Sequence, residues 1–429
     1  MGAAGEEMYR FIERAYPICR SITGDGVRQT LAMIRERIPL EISEVPSGTP
    51  VFDWTVPREW NIRDAWIKDP SGRKVVDFQD CNLHVLSYSV PVREKLPLAE
   101  LQKHLFSLPD KPDLIPYRTS YYQEAWGFCL AHRTLESLTE GEYEVLIDST
   151  LADGSLTYGE CLLPGGSERE VLLSTHVCHP SLCNDNLSGI AVMTELARAL
   201  QSRPRRRRRY SYRFLFIPGT IGSITWLARN EEAVGKIDHG LVAASLGDPG
   251  AFHYKKSRRG NAEIDRAVLA VLRSSGEPFG VEEFVPFGYD ERQYCSPGFN
   301  LAVGSLTRTP YGRYPEYHTS ADDLDLVRPE ALEGSLRTYL AVMDVLEGNR
   351  RYRNLNPKCE PQLGRRGLYR TIGGDEAGRA RELALLWVLN LSDGEHGLLD
   401  IAERSGMSFA AIREAADALL EVSLLEETS

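Results

Sequence analysis

Five side chains that can bind a transition metal lie within ten residues of one segment, LSTHVCHPSLCNDNLSG. They are His176, Cys178, His179, Cys183 and Asp185. Imidazole nitrogens, thiolates and carboxylates are the ligands that zinc and similar ions take from proteins. The segment follows an apolar run, Glu170–Ser174, that predicts a buried strand, and it precedes a helix-like stretch, Gly189–Leu200. Loops between a strand and a helix commonly carry the chemistry of α/β enzymes, so this loop is a candidate metal site.

Each of these residues also fits an ordinary structural role. Asp185 stands at the start of the helix-like stretch, where a carboxylate often caps the helix. A single residue of this kind would therefore carry little weight. The cluster as a whole, together with its partners farther along the chain, favours a metal.

Three polar segments farther along the chain supply those partners. His318 lies in TRTPYGRYPEYHTSADD, a loop with no apolar face. Asp248 follows the apolar run HGLVAASL, although an aspartate in a turn is common. Asp290 and Glu291 lie among aromatic residues, where burial raises the pKa of a carboxyl group towards that of a general base.

The bulk properties describe an ordinary globular chain of 429 residues, long enough for two or three domains. A net charge of −11 argues against nucleic acid as the main partner, and the basic run Arg205–Arg209 favours a solvated loop. The eight cysteines are spread through the chain and several lie in apolar runs, which is typical of free thiols. The N-terminus lacks the pattern of a signal peptide, and no apolar run reaches the ~20 residues of a membrane span. These observations predict a cytoplasmic protein that does not contact membranes.

The texture of the sequence changes along the chain. Residues 1–40 have helical periodicity. Short alternating runs separated by turn signals make residues 45–132 a predicted β-rich unit, with strands expected at Trp60–Asp69 and Cys81–Val90. From Tyr143 onwards apolar runs alternate with helix-like stretches, which predicts an α/β domain with a largely parallel sheet covered on both faces.

The last third of the chain closes this domain and adds another. Glu330–Leu346 is a predicted closing helix, and residues 349–366 are polar with two prolines, as in a linker. Residues 376–429 give three short helices joined by glycine-containing turns, the pattern of a winged helix. Its last helix carries acidic residues that would repel phosphate, so a role in protein contact or dimerisation is favoured over DNA binding. These acidic residues are Glu414, Asp417 and Glu421.

With these motifs in order, the chain resembles the zinc aminopeptidase superfamily, which includes bacterial leucyl aminopeptidases and glutaminyl cyclase. More closely, it resembles a family of aminopeptidase-like domain proteins of unknown function. The closer resemblance covers nearly the whole chain and rests on GTPVFDWTVPREWNI, NLHVLSYSVPV, IPYRTSYYQEAWGFCL, STHVCHPSLCNDNLSG, DERQYCSPGFN and RTPYGRYPEYHTSADDLD. It implies a three-layer α/β domain from residues 1–44 and 133–348, with a β-rich domain inserted at 45–132. A linker at 349–366 and a winged-helix domain at 367–429 complete the expected organisation.

The resemblance also implies which residues bind metal. His176 matches a histidine that follows a strand and binds one metal in the superfamily. Asp185 matches an aspartate that precedes a helix and bridges two metals there. Asp248 and His318 match two later ligands. The superfamily then has a Glu-Glu pair, a general base followed by a ligand, where this chain has Gly219 and Thr220.

The loss of that pair leaves three interpretations. The protein is a hydrolase with one metal, uses the same cleft for other acyl or amide chemistry, or binds a ligand or partner without catalysis. For the first, Glu291 or Asp290 is expected to replace the missing base, whose loss typically costs ~10²–10⁴-fold in rate.

We therefore expect a metal-dependent hydrolase that acts on an amide or peptide bond of a small molecule or peptide. One zinc ion is predicted at a subset of His176, Asp185, Asp248 and His318, with His179 as a further candidate. The predicted substrate contacts are Lys255, Arg258 and Tyr317, although the two basic residues fit an exposed turn equally well. Self-association through the β-rich or winged-helix domain is left open.

Overall fold

A computed structural model of the chain describes residues 3–205, 208–369 and 376–428, so the basic run Arg205–Arg209 lies partly outside the described residues. The chain divides into two compact units. The first is Met1–Gly260 with Phe279–Arg337, and the second is Asn261–Pro278 with Thr338–Ser429. None of the helices in the described ranges combines the length and the apolar composition that a membrane crossing requires.

An eight-stranded sheet forms the centre of the first unit. Its strands, in spatial order, are β1 (Glu41–Pro46), β10 (Ser155–Leu163), β12 (Ser211–Ile217), β11 (Glu170–His176), β13 (Ile237–Ala243), β16 (Val303–Thr307), β14 (Phe252–Lys255) and β15 (Phe279–Glu282). Four of the seven strand pairs are parallel and three are antiparallel, so the sheet is mixed where the alternating pattern predicted a largely parallel one. The strand β11, predicted from its apolar run, is buried along its whole length and carries His176 at its carboxyl end.

Helices alternate with the strands of this sheet, and the one predicted after β11 spans Gly189–Ser202. Those of the first unit are α1 (Ala3–Ala15), α2 (Asp25–Arg35), α3 (Leu98–Leu101), α4 (His132–Glu136), α5 (Gly189–Ser202), α6 (Ile221–Arg229), α7 (Glu231–Val234) and α9 (Glu291–Tyr294). A π-helical turn, Cys183–Ser188, leads directly into α5. The predicted closing helix is α10, Pro329–Gly348.

The β-rich segment forms a smaller antiparallel sheet in the order β5 (Lys74–Asp77), β4 (Glu59–Lys68), β9 (Glu142–Ala152) and β6 (Val92–Pro97). Two short pairs accompany it, β2 (Pro50–Val51) with β3 (Trp54–Thr55) and β7 (Leu105–Phe106) with β8 (Phe128–Cys129). One cluster of buried side chains includes Val145 of β9 and Leu215 of β12, so this sheet and the large sheet share a continuous hydrophobic core.

The expected strand at Cys81–Val90 is wrong. Asn82–His84 form a single 3₁₀ turn, and the residues that follow make only isolated bridges, from Val85 to Phe128 and from Ser87 to Thr119. The alternation of apolar and polar residues has another cause here, because Leu83 and Val85 are buried as parts of a loop.

The second unit contains a three-stranded antiparallel sheet in the order β18 (Asp393–Gly397), β17 (Arg351–Asn354) and β19 (Leu425–Glu427). Its helices are α8 (Glu263–Ser275), α11 (Glu376–Leu391), α12 (Leu398–Ser405) and α13 (Phe409–Glu421). Three of them, α11 to α13, are the helices predicted for the tail. Strand β17 lies inside the stretch predicted as a linker. Its alternate side chains, Tyr352 and Asn354, are buried, and Asn354 Nδ2 donates to the carbonyl oxygen of Leu389 on α11 at 2.9 Å.

A charged contact ties three elements of the first unit together. The guanidinium of Arg28 on α2 donates to Oε1 and Oε2 of Glu59 at 2.9 and 2.5 Å, and Glu59 also accepts from the backbone N–H of Ser155 at 2.9 Å. These Arg28 hydrogen bonds lower the pKa of Glu59 to about 2. The contact therefore stabilises the fold above the ordinary carboxyl pKa and is lost as the pH falls towards 2.

Glu59→Gln is expected to lower the free energy of unfolding by about 1 kcal/mol at pH 7, because it removes the charge that Arg28 binds. The difference in free energy should shrink as the pH falls from about 4.5 towards 2, because Glu59 takes up its proton first in the unfolded chain and only near pH 2 in the folded protein. Urea unfolding at several pH values measures both, with the exposed strand residue Glu94→Gln as the control. A deficit that does not change with pH would contradict this assignment.

Candidate metal centre

Three histidine side chains surround the carboxylate of Asp185. The Nε2 atom of His176 lies 2.9 Å from Oδ1, and the Nε2 atoms of His318 and His179 lie 3.1 and 3.8 Å from Oδ2. Within the described ranges, His176, His179 and Asp185 are identified as a group whose potential ligand atoms all lie within 4.8 Å of one another. His176 and Asp185 are almost fully buried, with 2% and 0% of their surface exposed.

Four separate segments bring these side chains together. His176 ends strand β11, His179 lies in the loop after it, and Asp185 lies in the π-helical turn before α5. His318 comes from the loop before α10 and is joined to another part of the chain, because its carbonyl oxygen accepts from the N–H of Tyr117 at 2.8 Å. The ends of neighbouring elements thus converge at one edge of the large sheet, as in other α/β sites.

A buried carboxylate holds the backbone of the Asp185 turn. Asp322 accepts from the N–H of Asn184 at 2.5 Å and from the N–H of Asp185 at 3.0 Å. Asp322 is itself fully buried. It fixes the direction in which the Asp185 side chain leaves the turn, as the groups that hydrogen-bond to metal-binding segments do in other proteins.

A buried arginine holds the other part of the loop. The guanidinium of Arg20 donates to the carbonyl oxygens of Ala15, His179 and Pro180 at 2.7, 2.7 and 2.9 Å. Burial lowers the pKa of Arg20 to about 10, so the group stays protonated at neutral pH. The backbone of His179 is therefore fixed to the end of helix α1 by a charged fork.

The electrostatics of the cluster suit a cation. Burial tends to raise the pKa of the Asp185 carboxyl, but the three surrounding imidazoles hold it well below its usual range. Burial lowers the pKa of His179 well below its usual value, so this imidazole is neutral and has a free lone pair. A neutral imidazole such as that of His179 and an ionised carboxylate are ligands that zinc takes in enzymes.

Aromatic side chains enclose the cluster. Tyr317 stacks on His318 with ring centres 4.0 Å apart, Tyr289 stacks on His176 at 5.5 Å, and the ring of Tyr117 lies 5.0 Å from that of His318. The cavity between these rings and the cluster measures about 290 Å³. A small pocket with mostly aromatic walls and a few polar groups at its base is typical of small-molecule sites.

Asp248 is not brought to the cluster, although its position after strand β13 suggested a ligand. Its carboxylate accepts from Asn184 Nδ2 at 3.1 Å, from the Thr309 hydroxyl at 2.6 Å and from the N–H of Gly250 at 2.8 Å. These bonds join the loop after β13 to the loop after β16. His179, the further candidate from the sequence, lies beside Asp185 instead, so the cluster has four potential ligands without Asp248.

The two candidate bases have different surroundings. Asp290 lines the cavity, and its Oδ1 accepts from the N–H of Thr220 at 2.7 Å and from the Ser223 hydroxyl at 2.8 Å. No donor to its Oδ2 is found among the described residues, and burial raises the pKa of this carboxyl. Glu291 instead forms a buried ion pair with Lys255 at 2.6 Å. Unlike Asp290, neither Glu291 nor Lys255 lines the cavity.

The segment that replaces the expected Glu-Glu pair lines the same cavity. Gly219 has no side chain to offer, and a Cβ built there would lie 3.4 Å from Cys178 Sγ and 3.6 Å from His176 Cβ, at ordinary contact distance. Thr220 has a φ of 63°, which is rare and strained for a residue with a side chain. The backbone at Thr220 thus has an unusual positive φ, although neither Gly219 nor Thr220 carries a carboxylate.

Of the predicted substrate contacts, only Tyr317 lines the cavity. Lys255 is paired with Glu291, and Arg258 donates to the side chain of Asn300 at 2.8 Å in an exposed position. Sequence reasoning missed Arg20 and Tyr117 as parts of the site, and it gave no role to Asp322 in the loop of His318. Tyr117 lies in a segment that carried the resemblance, IPYRTSYYQEAWGFCL, but nothing in its local pattern indicates a contact with His318.

Comparisons with known proteins identify the family and the fold. A domain of unknown function, DUF4910, matches residues 9–349, and a winged helix-turn-helix matches residues 350–427. A Clostridium acetobutylicum protein, provisionally named a polysaccharide biosynthesis protein with an aminopeptidase-like domain, is 55% identical over 422 residues, which cover 98% of this chain and 96% of that protein.

Two solved structures show the same fold. The crystal structure of a provisionally named peptidase from Clostridium acetobutylicum has a TM-score of 0.94 at 54% identity and covers 100% of this chain and 97% of that one. A zinc aminopeptidase from Bacillus subtilis has a TM-score of 0.58 at 14% identity, covering 79% of this chain and 93% of that one, which is a likeness of fold alone. The predicted aminopeptidase-like α/β fold and C-terminal winged helix are confirmed.

If the cluster binds zinc, Arg20→Lys is expected to weaken that binding by about 10- to 100-fold, because the His179 loop loses the fork that orients it. The free energy of unfolding should fall by about 2 kcal/mol, since a lysine cannot donate to all three carbonyls in this geometry. Titration with zinc against a competing chelator and urea unfolding measure the two effects. Arg14→Lys, an exposed arginine on α1, is the control, and equal zinc affinity in both variants would contradict the role of Arg20.

Proposed function

The chain belongs to the DUF4910 family, and from this premise we propose that it is a zinc-dependent hydrolase that cleaves an amide or peptide bond of a small substrate. The observation that carries the proposal is the convergence of three imidazoles on the ionised Asp185 at the base of an aromatic pocket. A buried arrangement of this kind is costly to maintain without a cation, because it places polar groups in a space with little water.

We assign the metal to His176, His179, Asp185 and His318. When bound, a zinc ion supplies Lewis-acid polarisation of a carbonyl group of the substrate. One ion is proposed, because Gly219 and Thr220 offer no carboxylate for a second. The neutral state of His179 and the ionised state of Asp185 mean that neither group must change its protonation to bind the ion.

Asp290 is the side chain proposed to move the proton. Its Oδ1 is held by Thr220 and Ser223, which leaves Oδ2 for a water molecule or a leaving group in the cavity. Burial raises the pKa of Asp290, which brings its proton affinity closer to that of a group working near neutral pH. Asp290 would accept a proton from the attacking water and return it to the departing nitrogen.

The tyrosine walls set the size and orientation of the substrate. Tyr117, Tyr289 and Tyr317 enclose the cluster from different elements, and burial raises the pKa of all three hydroxyls. They therefore stay neutral, can donate hydrogen bonds to a carbonyl group and exclude bulk water. A volume of about 290 Å³ holds one residue-sized group near the metal ligands.

The metal content of the purified protein tests the site. Wild-type protein is expected to retain about one zinc per chain, because a preformed site of four ligands survives purification. His176→Ala and His318→Ala should retain less than about a fifth of that amount, whereas His132→Ala, outside the cluster, should match the wild type. Elemental analysis without chelators measures this, and zinc-free wild-type protein would overturn the metal assignment.

A second candidate function, ligand binding without turnover, is favoured by the side chains at positions 219 and 220. No general base occupies the place that the superfamily reserves for one, and a glutamate would fit there without a clash at its Cβ. In this case the pocket would bind the same class of molecule and release it unchanged.

Substitutions at Asp290 and Gly219 separate the two functions. If the wild type hydrolyses members of a panel of aminoacyl and N-acyl amides, Asp290→Asn should lower the rate by about 10²- to 10⁴-fold with zinc content unchanged. If the wild type binds zinc but is inactive, Gly219→Glu should gain activity of at least about tenfold over background, and Gly219→Gln, which has the same size but accepts no proton, should not. Equal rates for the wild type and Asp290→Asn would remove Asp290 from the mechanism.

A further inference from the structure

Three large aromatic side chains are exposed beside the candidate metal centre, and two of them, Trp54 and Tyr122, line its cavity. Phe52, Trp54 and Tyr122 expose 53%, 44% and 50% of their surface. The rings of Trp54 and Tyr122 meet edge to face with centres 5.3 Å apart. Exposed aromatic residues that lie next to one another usually mark a binding surface.

A short hairpin presents two of these residues. Strands β2 and β3 are joined by the two-residue turn of Phe52 and Asp53, and Phe52 has a φ of 56°. Glycine or asparagine usually occupies such a turn position, because a larger side chain is strained there. An aromatic residue held in this conformation at the surface points to a function for the side chain and not to a need of the fold.

Trp54 stands between two cavities. It lines the cavity of about 290 Å³ that contains the candidate metal centre, and it also lines a groove of about 520 Å³ beside it. The groove carries the acidic side chains Asp53 and Glu231, the amide of Gln293 and the hydroxyl of Ser296. Its lining in the described residues includes no lysine or arginine.

We propose that this groove binds a carbohydrate chain, with Trp54 as the platform for a sugar ring, and that the amide cleaved beside it is an N-acylamino group on such a sugar. The proposal rests on the hydrolase function proposed above. It names the substrate class of that site, which the family assignment leaves open. The provisional naming of the Clostridium acetobutylicum relative as a polysaccharide biosynthesis protein agrees with it.

The chemistry of the groove favours a sugar over a peptide. One face of a pyranose ring is a patch of C–H groups that packs on an aromatic ring, while its hydroxyls donate to carboxylates and amides at the edge. Asp53, Glu231 and Gln293 supply such acceptors around Trp54. A peptide lying along the groove would bring its terminal carboxylate towards two acidic side chains with no basic residue to bind it.

The proposed reaction is a deacylation. The oxygen of water forms a bond to the acyl carbon while the bond from that carbon to the sugar nitrogen breaks. One proton of the water reaches the nitrogen through Asp290, and the other leaves with the acid. The products are a carboxylic acid and a free amino sugar, and no oxidant or reductant is needed.

Binding of a chosen probe tests the groove independently of catalysis. The probe is the trisaccharide of N-acetylglucosamine, titrated into the full-length protein by calorimetry with saturation-transfer NMR as a second measurement. The wild type should bind it, and Trp54→Ala and Tyr122→Ala should each raise the Kd by about tenfold. Tyr369→Ala removes an exposed aromatic residue of the second unit and should leave the Kd unchanged.

Two further arms distinguish the failure of this inference from the failure of the proposed function. Binding of the trisaccharide to zinc-depleted protein and to Asp290→Asn should persist, because the platform does not use the metal. Trisaccharide binding that depends on Trp54 without deacylation would support the sugar groove and reject the hydrolase. A tripeptide such as Leu-Gly-Gly that binds in a Trp54-dependent way, or a trisaccharide affinity that Trp54→Ala does not change, would overturn the carbohydrate assignment.

Discussion

The ionised carboxylate of Asp185, buried where almost no water reaches it, is the constraint on which the site depends. A charge in that position is tolerated only if opposite or polar groups are fixed around it. Three imidazoles from three parts of the chain provide them, and their positions follow from the segments that hold them. Asp322 fixes the turn below the carboxylate, and Arg20 fixes the loop beside it. Contacts between residues far apart in the chain, from the end of helix α1 to the loop before α10, therefore hold the groups around Asp185 in place.

The contrast between Asp185 and Asp290 explains how one pocket can hold two carboxylates in different states. Imidazoles keep the pKa of Asp185 low, whereas burial with only neutral donors raises the pKa of Asp290. Groups whose surroundings move their pKa values apart are the usual basis for assigning a ligand and an acid or base. Thr220 links this contrast to the backbone, because its strained conformation aims its N–H at Asp290.

The sequence was most informative where the local pattern decides the geometry. An apolar run followed by polar residues predicts a strand end, so β11 with His176, the turn with Asp185 and the helix after it could all be found. The course of a long loop is not local, and the same reasoning that suggested Asp248 could not show that Asn184 and Thr309 bind it. Arg20 lies 159 residues from the His179 carbonyl that it binds, and only the packing of the whole unit reveals that contact. The Cys81–Val90 segment shows that a local pattern can also mislead, because alternating apolar and polar residues occur there in a buried loop and not in a strand.

The continuous core beneath the two sheets has a consequence for how the cleft works. Residues of the small sheet and the large sheet pack in one cluster, which also includes Val51 and Val56 on either side of Trp54, so the hairpin that carries Trp54 is anchored in the same core. A cleft with a wall anchored in this way is largely preformed, as pockets for small molecules usually are. Such preorganisation lowers the entropy lost on association, and it also narrows the range of molecules that the cleft accommodates. Selectivity would then come from the fixed shape of the cleft, and a ligand would have to adopt a conformation that fits it.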